Sequence, residues 1–147
     1  MTIKQLISSH VALMSSNSET YTFLHSETQF QNLMADEQLL PCVYLDMPMK
    51  YTPTIAITGA FQKTYICVAL FLFKSELDDN DTQQEATFVK AENAQREFQI
   101  LLENDVDNVR DLKVETCVQV QNLFDTNMSG VMMPFSLRMI NSDGVCI

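Results

Sequence analysis

The side chains able to do chemistry in this chain are few and scattered. His10 and His25 have no Cys, Asp or Glu at a metal-ligand spacing, so both are read as structural residues. Cys42, Cys67, Cys117 and Cys146 form no C-x-x-C pair. The first three lie in apolar, strand-like runs and read as small buried hydrophobes of a reducing compartment. Gly59, Gly130 and Gly144 build no phosphate-cradling loop, and no serine sits between paired glycines as a nucleophile elbow requires. The expectation is a protein that is not an enzyme, with no cofactor and no metal.

Carboxylates are the chemistry the chain does have. One cluster is Glu76, Asp78, Asp79 and Asp81; a second is Glu103, Asp105, Asp107 and Asp111. A calcium loop needs alternating ligands, a central glycine and a terminal glutamate, and the first cluster lacks the glycine and the spacing. A solvated acidic surface is the plain reading, and weak cation binding the sharper one. Nine methionines are also present, with Met47, Met49, Met128, Met132 and Met133 in or beside loops and hairpin ends. They read either as core filler or as an adaptable contact surface, which a flexible, polarizable side chain suits.

The chain has 147 residues, 19 acidic against 9 basic side chains, a formal charge of −10 and 46% hydrophobic residues. This excludes the basic footprint of a nucleic-acid reader, and it suits one domain over 1–147 with a short tail at 141–147. The amino-terminal residues lack a secretory pattern, and the longest apolar run, Tyr65 to Phe73, is far shorter than the ~20 residues of a membrane helix. Synthesis in a cytoplasm, with no membrane partner, is expected.

The elements that position these residues follow from periodicity. Ile3, Leu6, Ile7, His10, Val11 and Met14 make one stripe of a first helix over 2–14. A short strand is expected at 20–24, a short helix at 27–35 capped by Ser26, and a strand at 42–46. Pro48 and Pro53 bracket an exposed loop, and the 47–64 segment is expected to project from the body. Strands at 54–61 and 64–73 are expected to meet at a Gln62-Lys63 turn, with Gly59 at a bulge or a close backbone approach. The second of them is apolar on both faces and must be covered on both. The strongest helix signal spans 83–103, and Phe88 and Phe98 on it are expected to share one core with Leu70 and Leu72. Lys113 to Gln121 alternates, with Val114, Thr116, Val118 and Val120 toward the core. A turn at 125–130 leads to a last strand, in which Pro134 demands an edge or a bulge. The fold class is α+β: an antiparallel-dominated sheet, one long helix packed across it, an N-terminal helix and a C-terminal β-hairpin.

Three segments carry a family resemblance. Ala94-Gln-Arg-Glu-Phe98 lies in the long helix, Val114-Glu-Thr-Cys-Val118 follows, and Phe124-Asp-Thr-Asn-Met-Ser-Gly-Val131 leads into an apolar strand. From Pro41 to Ile140 the element order resembles small tail-terminator, tail-completion and neck-ring proteins of tailed bacteriophages, including those of crAss-like phages of Bacteroidetes. The β-α insertion near 20–35 departs from the simplest pattern. The resemblance implies a structural virion protein, a ring of twelve or six copies joining portal or head to tail, with other neck, portal or tail proteins as partners. Double-stranded DNA would pass through its channel without specific binding. Met47, Met49, Tyr51, Phe61, Met128 and Met132 are then the subunit-interface candidates. Glu76, Asp78, Asp79, Asp81, Asp105, Asp107 and Asp111 are the channel-lining candidates. The rival reading is a small cytosolic protein–protein adaptor.

Overall fold

Both α-helices among the described residues begin where a reciprocal cap satisfies their first free N–H groups. In a computed structural model, which describes residues 1–25, 39–46, 50–59, 61–123 and 127–140, helix α1 spans Ile3–Ala12. Thr2 Oγ1 accepts from the Gln5 amide at 3.2 Å, and the Gln5 side chain accepts from the Thr2 amide at 2.7 Å. The expected stripe from Ile3 to Met14 is buried in full. The long helix, α2, spans Asp81–Asn104, with Asn80 and Gln83 forming the same box at 2.9 Å in each direction. It presents Thr87, Ala91, Ala94, Phe98 and Leu102 to the interior. The expected helix at 27–35 lies outside the described residues.

Seven strands form one mixed sheet: β1 (Thr22–Leu24), β2 (Cys42–Leu45), β3 (Lys50–Ile55), β4 (Phe61–Lys74), β5 (Val109–Val114), β6 (Val118–Val120) and β7 (Met128–Met139). The β1–β2 pair is parallel and the others are antiparallel. Two long strands, β4 and β7, run side by side from Thr64↔Arg138 to Lys74↔Met128. Each carries an interrupted strand on its outer edge: β2 and β3 along β4, β5 and β6 along β7. β6 and β7 are the closing hairpin.

Three sequence expectations change here. The turn of the β3–β4 hairpin is not Gln62-Lys63, which lie inside β4; it is formed by Ala56 to Gly59, where the Gly59 amide donates to the Ala56 carbonyl at 2.8 Å. Gly59 sits at φ +82° with open space around it, so it serves a turn and not a close approach. The expected strand 113–121 is broken at 115–117, because the chain steps out of register there. Val118 and Thr116, expected in the core, are exposed. Pro134 lies opposite this break. The Val68 carbonyl, its neighbour's across β4, bonds toward Asp46, so by antiparallel alternation Pro134 faces the β5–β6 side. Its carbonyl accepts from Glu115 at 2.9 Å, and its missing N–H falls at the gap between the two short strands.

Two cores cover the two sheet faces. The larger packs α1 and α2 onto Val43, Leu45, Cys67, Ala69, Phe71, Phe73, Met133, Phe135 and Leu137. Phe98 stacks edge-on with Phe71 at 5.4 Å and with Phe135 at 6.0 Å. The smaller, on the opposite face, joins Leu24, Cys42, Tyr44, Leu70, Leu72 and Met128. Leu70 and Leu72 therefore do not share a core with Phe98: strand alternation sends them to the face opposite α1 and α2. Phe88 is half-buried at the helix margin. The central strands approach closely at Gly130, where a Cβ would stand 1.7 Å from the Phe71 carbonyl oxygen.

Candidate subunit-contact site

The β3–β4 hairpin starts as the edge of the sheet, where Thr64 to Ile66 still pair with β7, and its outer end, Pro53 to Ile55 with Phe61 to Lys63, runs past β7 as a two-stranded arm. Among the described strands β3 pairs with β4 alone, and its six residues are all exposed. An edge strand tolerates Pro53, whose missing donor would break a central one. Cross-strand register places Tyr51 against Tyr65, Pro53 against Lys63 and Ile55 against Phe61 on one face. Lys50, Thr52 and Thr54 meet Ile66, Thr64 and Gln62 on the other. The first face continues the helix-bearing side of the sheet, since Tyr65 packs against the larger core. Tyr51 and Tyr65 lie 6.2 Å apart between ring centroids, with the Lys63 ammonium 4.9 Å from the Tyr51 ring. Burial, then the neighbouring Tyr51 and Cys67, hold the Tyr65 phenol above its usual pKa.

Apolar groups on this arm meet solvent. Ile57 at the tip is 108% exposed, Ile55 74%, Tyr51 52% and Phe61 49%. Tyr51 and Phe61, both interface candidates from the sequence, thus lie on one surface. Met47 and Met49 lie outside the described residues. Met128, at 2% exposure, is held inside the chain's smaller core, and Met132 packs half-buried against it. These two methionines fill the protein's own interior. Ile55, Ile57 and Lys63 are not among the sequence candidates, although the sequence carries a signal: between Asp46 and Glu76 there are three lysines and not one carboxylate.

The carboxylates separate into two sites at opposite ends of α2, a helix about 36 Å long at 1.5 Å per residue. At its start Glu76, Asp78 and Asp81 are exposed, while Asp79 accepts from the Glu76 amide at 3.0 Å and shapes the turn. At its end the acids do internal work. Asp105 holds the Nε2 of buried His10 at 2.9 Å and receives Asn108 at 3.0 and 3.3 Å. His10 Nδ1 meets the Leu6 carbonyl oxygen at 2.7 Å, so the ring ties α1 to the end of α2. Asp111, at φ +52° in the β5 register shift, pairs with Arg138. Asp107 is exposed.

A groove of about 450 Å³ runs between α2 and β6, lined by Asp81, Glu85, Phe88, Val89, Glu92 and Gln119. The Gln119 amide donates to Glu92 at 3.2 Å across it, and a second depression of about 430 Å³ continues toward Cys117 and Val118. Its acids recur at steps of four and seven, one stripe of the helix, a spacing that could have been read from the sequence. Cys117 is exposed here, against the expectation that it is buried, because it falls in the 115–117 break. Cys42 and Cys67 are buried, and burial pushes both thiols up to about 12.

Among the described residues no three His, Cys, Asp or Glu side chains come together to hold a metal ion, and no helix is long and apolar enough to cross a membrane. Comparison with known proteins finds no matching family model and no matching curated protein, so the arm and the groove are what the functional reading rests on.

Proposed function

We propose that this chain is a structural, self-associating protein of a phage neck or tail, assembling into a ring of twelve or six copies between portal or head and tail. The observation that carries the reading is the projecting arm, whose apolar face has no cover within the described chain. A surface of this kind on a small acidic protein marks a protein contact. The resemblance of the 41–140 element order to neck and tail rings supplies the setting, the virion. Within that setting, the exposed acids Glu76 and Asp78, outside the groove that Asp81 lines, are better placed to face a DNA channel than Asp105 and Asp111, which are paired internally. An acidic wall repels the duplex and lets it pass, whereas a basic one would retain phosphates.

The test is light scattering on the purified chain, with electron microscopy of the eluted particle. Annular particles with six- or twelvefold symmetry are expected. A monomer at every concentration would overturn the reading in favour of the small adaptor.

A further inference from the structure

On the reading that copies of this chain associate, we infer that the β3–β4 arm docks in the acidic groove between α2 and β6 of a neighbouring copy. Charge selects this occupant. The hairpin from 50 to 66 holds two lysines, Lys50 and Lys63, and no carboxylate, and Lys63 lies on the arm's apolar face. The groove offers Asp81, Glu85 and Glu92 around Phe88 and exposed Val89. The arm thus brings an ammonium beside Ile55, Ile57 and Phe61, and the groove brings carboxylates beside apolar side chains. Opposite potentials steer such an encounter and fix its register.

Distance makes the contact intermolecular. The arm's Lys63 lies in β4, while the groove's Gln119 pairs with Val131, itself opposite Phe71. Eight residues of extended strand separate the two sites, about 26 Å. No copy reaches its own groove with its own arm. Donor and acceptor surfaces at opposite ends of one chain give a head-to-tail contact, which closes into a ring when the rotation permits.

Charge reversal tests the pairing. Lys63→Glu, and separately Glu85→Lys with Glu92→Lys, should each raise the midpoint concentration of assembly about tenfold or more. The two variants mixed, or all three substitutions combined in one chain, should regain assembly, and raised salt should weaken the parental contact. Glu85 and Glu92 are exposed and Lys63 is half-exposed, and unchanged thermal midpoints verify folding. Proximity is read independently through Cys117, beside the groove. In a Cys146→Ser background, Ile57→Cys treated with a short bis-maleimide should give a covalent ladder that Cys117→Ser abolishes. If the arm reversal disperses the assembly while the groove reversal leaves it intact and no ladder forms, the groove is wrong and the ring reading stands. If the particle is a dimer sensitive to both reversals, the groove stands and the ring falls. A parental chain that stays monomeric overturns both.

Discussion

Strand β4 has two halves with different fates. From Cys67 to Phe73 it is flanked by β2 and β7, with helices over Cys67, Ala69, Phe71 and Phe73 and the smaller core over Leu70 and Leu72. From Thr64 to Ile66 it lies between β3 and β7, and from Phe61 to Lys63 it is half of a two-stranded arm; Phe61 and Ile66 face solvent. Large apolar side chains occur in both halves, so residue type does not separate them. Cover does: the helices and the second core give out where the arm begins. Apolar residues in the first half hold this chain together, and those in the second are left for another.

That contrast can be broken most severely at Gly130. With a Cβ there 1.7 Å from the Phe71 carbonyl oxygen, Gly130→Ala forces the two central strands apart, because a backbone atom cannot rotate away. We expect a loss of about 3 kcal/mol or more, read as failure to fold or as a collapsed urea midpoint. A soluble variant of parental stability would show that β4 and β7 do not approach so closely.

The next effect compares two phenylalanines of the same strand. Phe71 is fully buried against Phe98, and Phe71→Ala should cost about 3–5 kcal/mol. Phe61→Ala should cost less than about 1 kcal/mol in global unfolding while weakening assembly. Equal losses in denaturant would mean that the arm belongs to the core.

A comparable effect comes from alkali. Cys67 and Cys42 have thiols pushed up to about 12 by burial, from an ordinary value of 9.0. Below pH 9 folded and unfolded chains both keep these protons, and the stability is fully present. Between pH 9 and 12 only the folded chain keeps them. Stability therefore falls as pH rises, by about 1.4 kcal/mol per pH unit for each thiol. Urea midpoints at about pH 8 and about pH 10.5 should differ accordingly, and Cys67→Ala should halve the dependence on these two groups. Near neutral pH a maleimide should label Cys117 in the folded chain well before Cys42 or Cys67. A flat urea profile would place both thiols in contact with water.

Periodicity makes much of this architecture readable. The stripe from Ile3 to Met14, the two-faced β4, the long helix and the last strand all follow from spacing, since burial on one face leaves a repeat in the sequence. What spacing does not carry is which face of a two-faced strand a given helix covers. Hence the sequence pairs Phe98 with Leu70 and Leu72, when its neighbours are Phe71 and Phe135. Register breaks are also silent. Val118 alternates as a core residue should and Cys117 sits in an apolar run, and only the break at 115–117 turns them outward. For the contact site, the exposure of residues 50–59 is legible from Pro48, Pro53 and the apolar groups beside them. Its form as a strand is hidden by Pro53, which an edge tolerates. The acidic groove needs α2 and β6 side by side, a long-range relation that no local pattern records.

The smallest expected effect sharpens the comparison most, because it separates the arm from the body by site alone. Gly59 and Gly130 are both glycines of hairpins, but for different reasons. Gly130 is required by space, whereas Gly59 has open space where a Cβ would stand and is required only by φ +82°. An alanine at Gly59 meets no collision, only the left-handed backbone, which costs about 1 kcal/mol. Part of even that is offset by the reduced freedom of the unfolded chain. Asparagine, which tolerates this region, should cost less than alanine. The arm adds little to the core, so the loss should not appear in the global unfolding midpoint. It should appear as faster hydrogen exchange at the amides of Lys50 to Thr52, Thr54, Ile55 and Phe61 to Lys63, which open locally when the turn is weakened. An arm that opens more often presents Ile55, Ile57 and Lys63 in register less often, so the midpoint concentration for assembly should rise, by at most the fivefold that about 1 kcal/mol allows. If Gly59→Ala instead lowers the global midpoint without changing exchange in the arm, hairpin and body unfold as one unit, and the division of β4 into two halves is wrong.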